Sequence, residues 1–311
     1  PMILGNLFQQ FYNMVDSMIV GQFVGEKALA AVGASYALTN VFVMIAIGGG
    51  IGASVITSQY LGAGDTGKMK TSVYTALLTF LAVGGLLGVF GFLMNRQILV
   101  WLNTPDDILV AAGIYLGIYF LGMPFFMLYN YGAAILRAVG DTKRPLFFLV
   151  ISGMTNAVLN LVLVIVFHMG VAGVAIGTIV SQLISSILVL RCLYTSNTSY
   201  RLYFSKLGIK TQYLKQIFQV GIPAGIQSTV INLSNALLQS SVNSFGSVAM
   251  AGYTAANNIF GFLYMSVNAV TQSCMSFTSQ NYGVKKLKRM DRVLLDCMIL
   301  SVGVALTLGC G

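Results

Sequence analysis

The feature that most constrains this chain is the repetition of long, almost uncharged apolar runs. A helix needs about 20 mainly apolar residues to cross the hydrocarbon of a bilayer. Nine such runs occur, at residues 1–20, 30–60, 73–94, 108–135, 146–168, 171–194, 216–243, 248–281 and 293–311, separated by short polar breaks. They are continuously apolar rather than alternating with a period of two, which selects helices over a membrane barrel. Runs 30–60 and 248–281 exceed one upright crossing, so tilt or extension past the bilayer is expected there. Only 8% of the residues are charged and the mean hydropathy is +0.83, against about 25% charge in soluble domains. That excludes a water-soluble enzyme, a disordered chain and a disulfide scaffold. The expected class is an all-α polytopic membrane protein.

Orientation follows from the cations. The second, fourth, sixth and eighth connecting loops hold Lys68 and Lys70; Arg137, Lys143 and Arg144; Arg191, Arg201, Lys206, Lys210 and Lys215; and Lys285, Lys286, Lys288, Arg289 and Arg292, which is 15 of the 17 Lys and Arg. By the positive-inside rule these loops face the cytoplasm, and so does the N-terminus. The net charge of +9 therefore sets topology, and no nucleic-acid partner is expected. Cys192, Cys274, Cys297 and Cys310 have no paired spacing and read as packing residues. Because the chain opens at Pro1 inside an apolar run, the start of the first span is expected to be missing.

The sequence also repeats itself. Shifted by 221 residues, Gly25, Ala28, Ala30, Ala34, Met44, Thr57, Ser58, Gln59, Gly62 and Met69 align with Gly246, Ala249, Ala251, Ala255, Met265, Thr278, Ser279, Gln280, Gly283 and Met290. The shared string Thr-Ser-Gln-x-x-Gly is polar, so apolar bias does not explain it. Six spans separate the copies and an even number preserves orientation, so the repeats are parallel, as in many transporters. The second copy matches only the first half of the first, so three spans are expected to be absent. The predicted organisation is an N-lobe at 1–215 holding spans one to six and a partial C-lobe at 216–311 holding spans seven to nine.

Asp16 is the informative polar residue, since it lies inside the first apolar run. A carboxylate at mid-membrane costs about 2.5 to 3.5 kcal/mol on insertion scales and marks ion or proton handling. Asn6, Gln9, Gln10, Asn13, Asp16 and Ser17 fall within about 120° on a helical wheel, and Ser228, Asn232, Asn235, Gln239 and Asn243 within about 80° on the equivalent span seven. Two equivalent polar faces, one per repeat, predict a water-filled cavity at the repeat interface. Span five adds Ser152, Asn156 and Asn160 at i, i+4 spacing, and span six adds Thr178 and Gln182. Uncharged oxygens beside one carboxylate suit a small cation or a titrating proton. Pro124 and Pro223 lie within spans four and seven, where proline can bend a helix or merely pack.

These residues carry a family resemblance. Asn13-Met-Val-Asp16, Gly21-Gln-Phe-Val-Gly25, Ala28-Leu-Ala-Ala-Val-Gly33, Gln59-Tyr-Leu-Gly62-Ala-Gly64-Asp65, the stretch from Leu136 to Pro145 and Met169-Gly-Val-Ala-Gly-Val-Ala-Ile-Gly-Thr178 resemble the multidrug and toxic compound extrusion (MATE) transporters, closest to the bacterial MepA-like branch. The resemblance implies a two-lobe bundle of parallel six-helix repeats, with nine of its twelve transmembrane helices present. It implies export of amphipathic organic cations in exchange for protons or sodium, with no cofactor beyond that coupling ion. Also by resemblance, Asp16 matches the first-helix coupling aspartate, Asn156 the fifth-helix asparagine and Thr178 the sixth-helix threonine; if sodium is the ion, these three would hold it. The family pattern usually carries an acid where this chain has Asn160.

The expected protein is thus a secondary antiporter, not an enzyme, working as a monomer in the bacterial cytoplasmic membrane. Coupling is expected at Asp16, Asn156, Asn160 and Thr178, and the substrate cavity at Gln10, Asn13, Asn232, Asn235 and Gln239. The rivals are a lipid-linked glycan flippase, which would need cations in its cavity, and a non-transporting membrane protein.

Overall fold

The computed structural model describes residues 1–102, 104–196, 201–202, 208–243 and 247–309. They form α1 (Met2–Ile19), α2 (Glu26–Gly62), α3 (Thr66–Trp101), α4 (Asp106–Leu121), α5 (Met123–Ala138), α6 (Lys143–Leu161), α7 (Gly170–Thr195), α8 (Thr211–Asn243), α9 (Ser247–Gly283) and α10 (Leu287–Gly309). Each apolar run becomes one helix except the fourth, which is two: α4 and α5 meet at 50°. Pro124 is the physical reason. It stands at the start of α5, where it lacks an N–H and its ring opposes the carbonyl four residues back. Pro223 lies inside an unbroken α8. Taken singly, four of the described helical segments are long and apolar enough to span a bilayer, and the α4–α5 pair makes five. The others fall short because their apolar runs are diluted by amides, hydroxyls and, in α10, charges.

The repeat is visible in the turns. After α2, the N–H of Gly64 donates to the Leu61 carbonyl (3.1 Å) and that of Asp65 to the Tyr60 carbonyl (3.1 Å), the paired bonds of a Schellman stop. After α9, Lys285 donates to Tyr282 (3.0 Å) and Lys286 to Asn281 (3.0 Å). Gly64 and Lys285, 221 positions apart, both take positive φ, 73° and 56°. Asp65 then caps α3 by accepting from the Lys68 backbone N–H at 2.9 Å. That N–H and the Lys68 ammonium hold the Asp65 carboxyl below the usual carboxylate range.

The first seven helices form one packed group. Its main core joins α2, α3, α5 and α7 through Ile56, Met69, Val73, Phe80, Met127, Tyr131, Ile135 and Val189, with the Tyr131 hydroxyl donating to the Val73 carbonyl at 2.5 Å. Large apolar side chains on the outer surface, such as Leu86, Leu93, Val110 and Met154, are more than 60% exposed, as expected of a lipid-facing belt. The second group, α8 to α10, meets the first through α2, α1 and α3. Helices α2 and α8 touch backbone to backbone: a Cβ on Gly48 would stand 2.7 Å from the Gly221 carbonyl oxygen and 2.8 Å from the Gly225 Cα. Among the described residues, hydrogen bonds between the groups run from the end bearing the basic loops, with Tyr60 donating to Gln216 at 2.9 Å, up to the level of Asn6 on Met265 and Asn232 on Met44. Beyond that level Leu233, Leu237 and Leu238 of α8 are more than half exposed.

Candidate functional site

The i, i+4 ladder on α6 points into the first helical group, where α1 and α7 close over it. Asn160 is fully buried and Asn156 is 1% exposed. The Asn160 Nδ2 donates to the Asp16 carboxylate at 2.5 Å and to Asn156 Oδ1 at 2.9 Å. Asn156 Nδ2 in turn reaches Thr178 Oγ1 at 3.4 Å and Ser181 Oγ at 3.5 Å. Ser152 Oγ donates to the Ser181 carbonyl at 3.0 Å. A single polar chain therefore runs from the carboxylate of α1 through two amides of α6 to the hydroxyls of α7. All four residues expected to couple ions, Asp16, Asn156, Asn160 and Thr178, belong to it.

One acceptor in this chain has no partner. Asn160 Oδ1 is buried without a hydrogen bond, lodged against Gly177, where any side chain would collide with it. An unpaired buried acceptor beside a carboxylate is uncommon and is what a cation or a donated proton would satisfy. The expected sodium ligands, Asp16, Asn156 and Thr178, lie along this same polar chain. Among the described residues no group of three His, Cys, Asp or Glu is assembled to hold a metal ion.

Four participants were not picked out from the sequence, the first being Ser181, which accepts from Asn156 at 3.5 Å. The Tyr12 phenol lies within hydrogen-bonding reach of Thr178 and Ser181 and close to Asp16. Its position four residues before Asp16 was the available signal, but a phenol in an apolar run reads as packing. Tyr115 also lies near Asp16 and stacks on Tyr119 with ring centroids 6.2 Å apart. Gly177 matters through the side chain it lacks. In addition, α1 and α6 each widen into a π turn just past the site, at Val20–Val24 and Val162–Val166, and the two turns touch. Such bulges concentrate at functional sites.

The cavity residues fare differently. The polar stripe of α1 divides: Asn6 donates across to the Met265 carbonyl at 3.0 Å, Gln10 is exposed, and Asp16 turns into the first helical group toward α6. The carboxylate therefore does not join the face of α8, contrary to the expectation of one cavity lined by both stripes. The reason is local: Asn160 on α6 donates directly to the carboxylate. On α8, Asn232 is exposed and donates to the Ser228 carbonyl at 2.8 Å, and Asn235 is exposed. The side chains of Asn13 and Gln239 lie outside the described residues.

Comparison with known proteins gives a consistent picture. The MatE family model matches residues 1–162 and 223–310. The chain is 32% identical over 292 residues to the probable multidrug resistance protein YpnP of Bacillus subtilis, covering 93% of this chain and 65% of the relative. It is 30% identical over 303 residues to the probable multidrug resistance protein YoeA of the same organism, covering 94% and 65%. Among solved structures, a MATE crystallised in complex with MaL6 superposes with a TM-score of 0.94 at 22% identity, over 99% of this chain and 69% of that one. An outward-facing multidrug resistance MATE transporter gives 0.93 at 22% identity, over 99% and 68%. The chain thus spans about 65% of the length of the curated relatives it matches.

Proposed function

Taking as premise that the chain belongs to the MatE family, we propose that it forms the first nine spans of a secondary antiporter that exports amphipathic organic cations against an inward flow of protons or sodium. The relatives are described as probable multidrug resistance proteins and, at 22% identity, as the multidrug export protein MepA of Staphylococcus aureus. The observation that carries the reading is the Asp16–Asn160 contact. A half-buried anion in the first span, held by one amide and flanked by an unpaired acceptor, is costly unless it trades partners. A cation that neutralises Asp16 removes the reason for Asn160 to point at it. The helix bearing Asp16 then has two packing arrangements, one for each occupancy, which is the differential interaction that a coupled transporter requires.

In this reading residues 1–215 act as the N-lobe and 216–311 as part of the C-lobe. The basic end of the bundle faces the cytoplasm, and the exposed length of α8 near Asn232 and Asn235 belongs to the substrate path together with Gln10; Asn13 and Gln239 are assigned to it from their places on the two polar stripes of the sequence. Asn160 in place of an acid leaves one carboxylate at the site, so one coupling cation is carried there. Each net charge moved gains about 2.3 kcal/mol per 100 mV of membrane potential. The test is efflux of a fluorescent organic cation from vesicles containing the complete protein, with proton and sodium gradients imposed separately. Efflux accelerated by one gradient supports the reading; efflux indifferent to both defeats it.

A further inference from the structure

The polar string Thr-Ser-Gln-x-x-Gly, present in both repeats, plays no part in the ion site, and its two copies meet. Helices α2 and α9 cross at the basic end with Gly62 pressed on the backbone of Gln280, and Gly283 pressed on the backbone of Gln59. Gln59 and Gln280 are equivalent positions of the repeat, as are Gly62 and Gly283. The contact is therefore reciprocal: each repeat supplies the glycine that receives the other's glutamine. A Cβ at Gly283 would also stand 2.9 Å from the Gln59 carbonyl carbon and 3.0 Å from the Ala63 nitrogen, and at Gly62 2.7 Å and 2.8 Å from the Gln280 carbonyl carbon and Cα. These are backbone atoms and cannot step aside.

Both strings also converge on one acceptor. The Ala138 carbonyl at the end of α5 receives Ser58 Oγ at 3.2 Å and Gln280 Nε2 at 2.9 Å, one donor from each repeat. One further hydroxyl of the string, Thr57 Oγ1, is buried without a partner. On one side of the crossing, Gln59, Gln216, Gln219 and Ser279 line a cleft of about 410 Å³. The crossing is thus a narrow seam of bare backbone with a polar cleft beside it.

We propose that the two strings form a latch that closes the basic, cytoplasmic end of the molecule while its opposite end is open. Closure needs glycine at both 62 and 283, because only without side chains do the two helices come near enough for Gln280 to reach Ala138. Opening toward the cytoplasm separates α2 from α9, releases the Ala138 carbonyl from Gln280 and frees Thr57 to find a partner. The latch rests on the transporter reading for its purpose but not for its geometry.

The experiment uses the complete protein in a cysteine-free background, carrying one reporter cysteine at a time. Ala269→Cys places a thiol on α9, 2% exposed, about three turns before the crossing, where α9 lies beside the start of α1; Leu233→Cys places one on the exposed part of α8. Labelling rates with a membrane-impermeant maleimide are compared in inside-out and right-side-out vesicles, with no substrate and no gradient. Gly62→Ala and Gly283→Ala are each expected to raise inner-side labelling at 269 at least five-fold and to lower outer-side labelling at 233. Gln280→Leu, which removes the bond to Ala138 without adding bulk at the crossing, shifts both rates in the same direction and stands in if an alanine variant does not fold. Gly261→Ala, with no atom within 4 Å of the added carbon, leaves them unchanged. Rates in the Gln280→Leu variant and any folded glycine variant that equal those of the parent overturn the latch. Because labelling requires no transport, a failure here is distinguishable from a failure of the antiport reading.

Discussion

Gly177→Ala tests how tightly the ion site is built. The added methyl would land on Asn160 Oδ1, 3.2 Å from its Cγ and 3.5 Å from its backbone nitrogen. Asn160 is fully buried, so its carboxamide has no free volume to enter. Relief requires rotating the amide, which breaks its bonds to Asp16 (2.5 Å) and Asn156 (2.9 Å), or moving α7 away from α6. A hydrogen bond to a charged group contributes about 1.5–3 kcal/mol and a neutral one about 0.5–1.5. Alanine returns about 1 kcal/mol of helix propensity, leaving a net loss of about 1–3 kcal/mol. That corresponds to about a 5- to 150-fold drop in the population of the competent arrangement. The assay is the initial rate of organic-cation efflux from vesicles, with thermal unfolding in detergent measured alongside. Gly85→Ala, where no atom lies within 4 Å of the new carbon, controls for the helix itself and should leave efflux unchanged. Efflux at the parental rate in Gly177→Ala, with unchanged unfolding, would refute the claim that Asn160 must sit where it does.

Asn160→Asp restores the acid usual in the resembling family and sets a second carboxylate against Asp16. Two such charges about 3 Å apart repel by about 5 kcal/mol at an effective dielectric of 20, so the pair takes up an additional cation; at alkaline pH sodium should raise the unfolding temperature of this variant more than potassium does, and an equal response to both ions counts against it. Lys285→Gly replaces a non-glycine residue at φ 56°, where a side chain costs about 1–2 kcal/mol, so the unfolding temperature should rise; a fall would contradict the turn described after α9.

The helices were legible because bilayer crossing is written in the sequence as length and apolarity, and the repeat because a polar string recurs at fixed spacing. The break between α4 and α5 was legible only as an ambiguity: Pro124 and Pro223 look alike in sequence, and packing decides which one bends its helix. Asp16, Asn156, Asn160 and Thr178 could be gathered because i, i+4 spacing fixes which residues share a face. What the wheel could not give is direction. It placed Asp16 on the same stripe as Asn6 and Gln10, but a stripe spanning about 120° faces more than one neighbour, and the donors on α6 claimed the carboxylate. Gly177 and Gly62 were invisible for a different reason, since their contribution is an absence that shows only against the atoms filling the space.

Asp16→Asn offers the most direct measurement. It preserves size and hydrogen bonding while abolishing the charge that trades partners. In vesicles of the complete protein, gradient-driven efflux of an organic cation should fall to the level seen without a gradient, while equilibrium binding of that cation in detergent persists. Gradient-driven efflux that survives the substitution would contradict the assignment of ion coupling to Asp16.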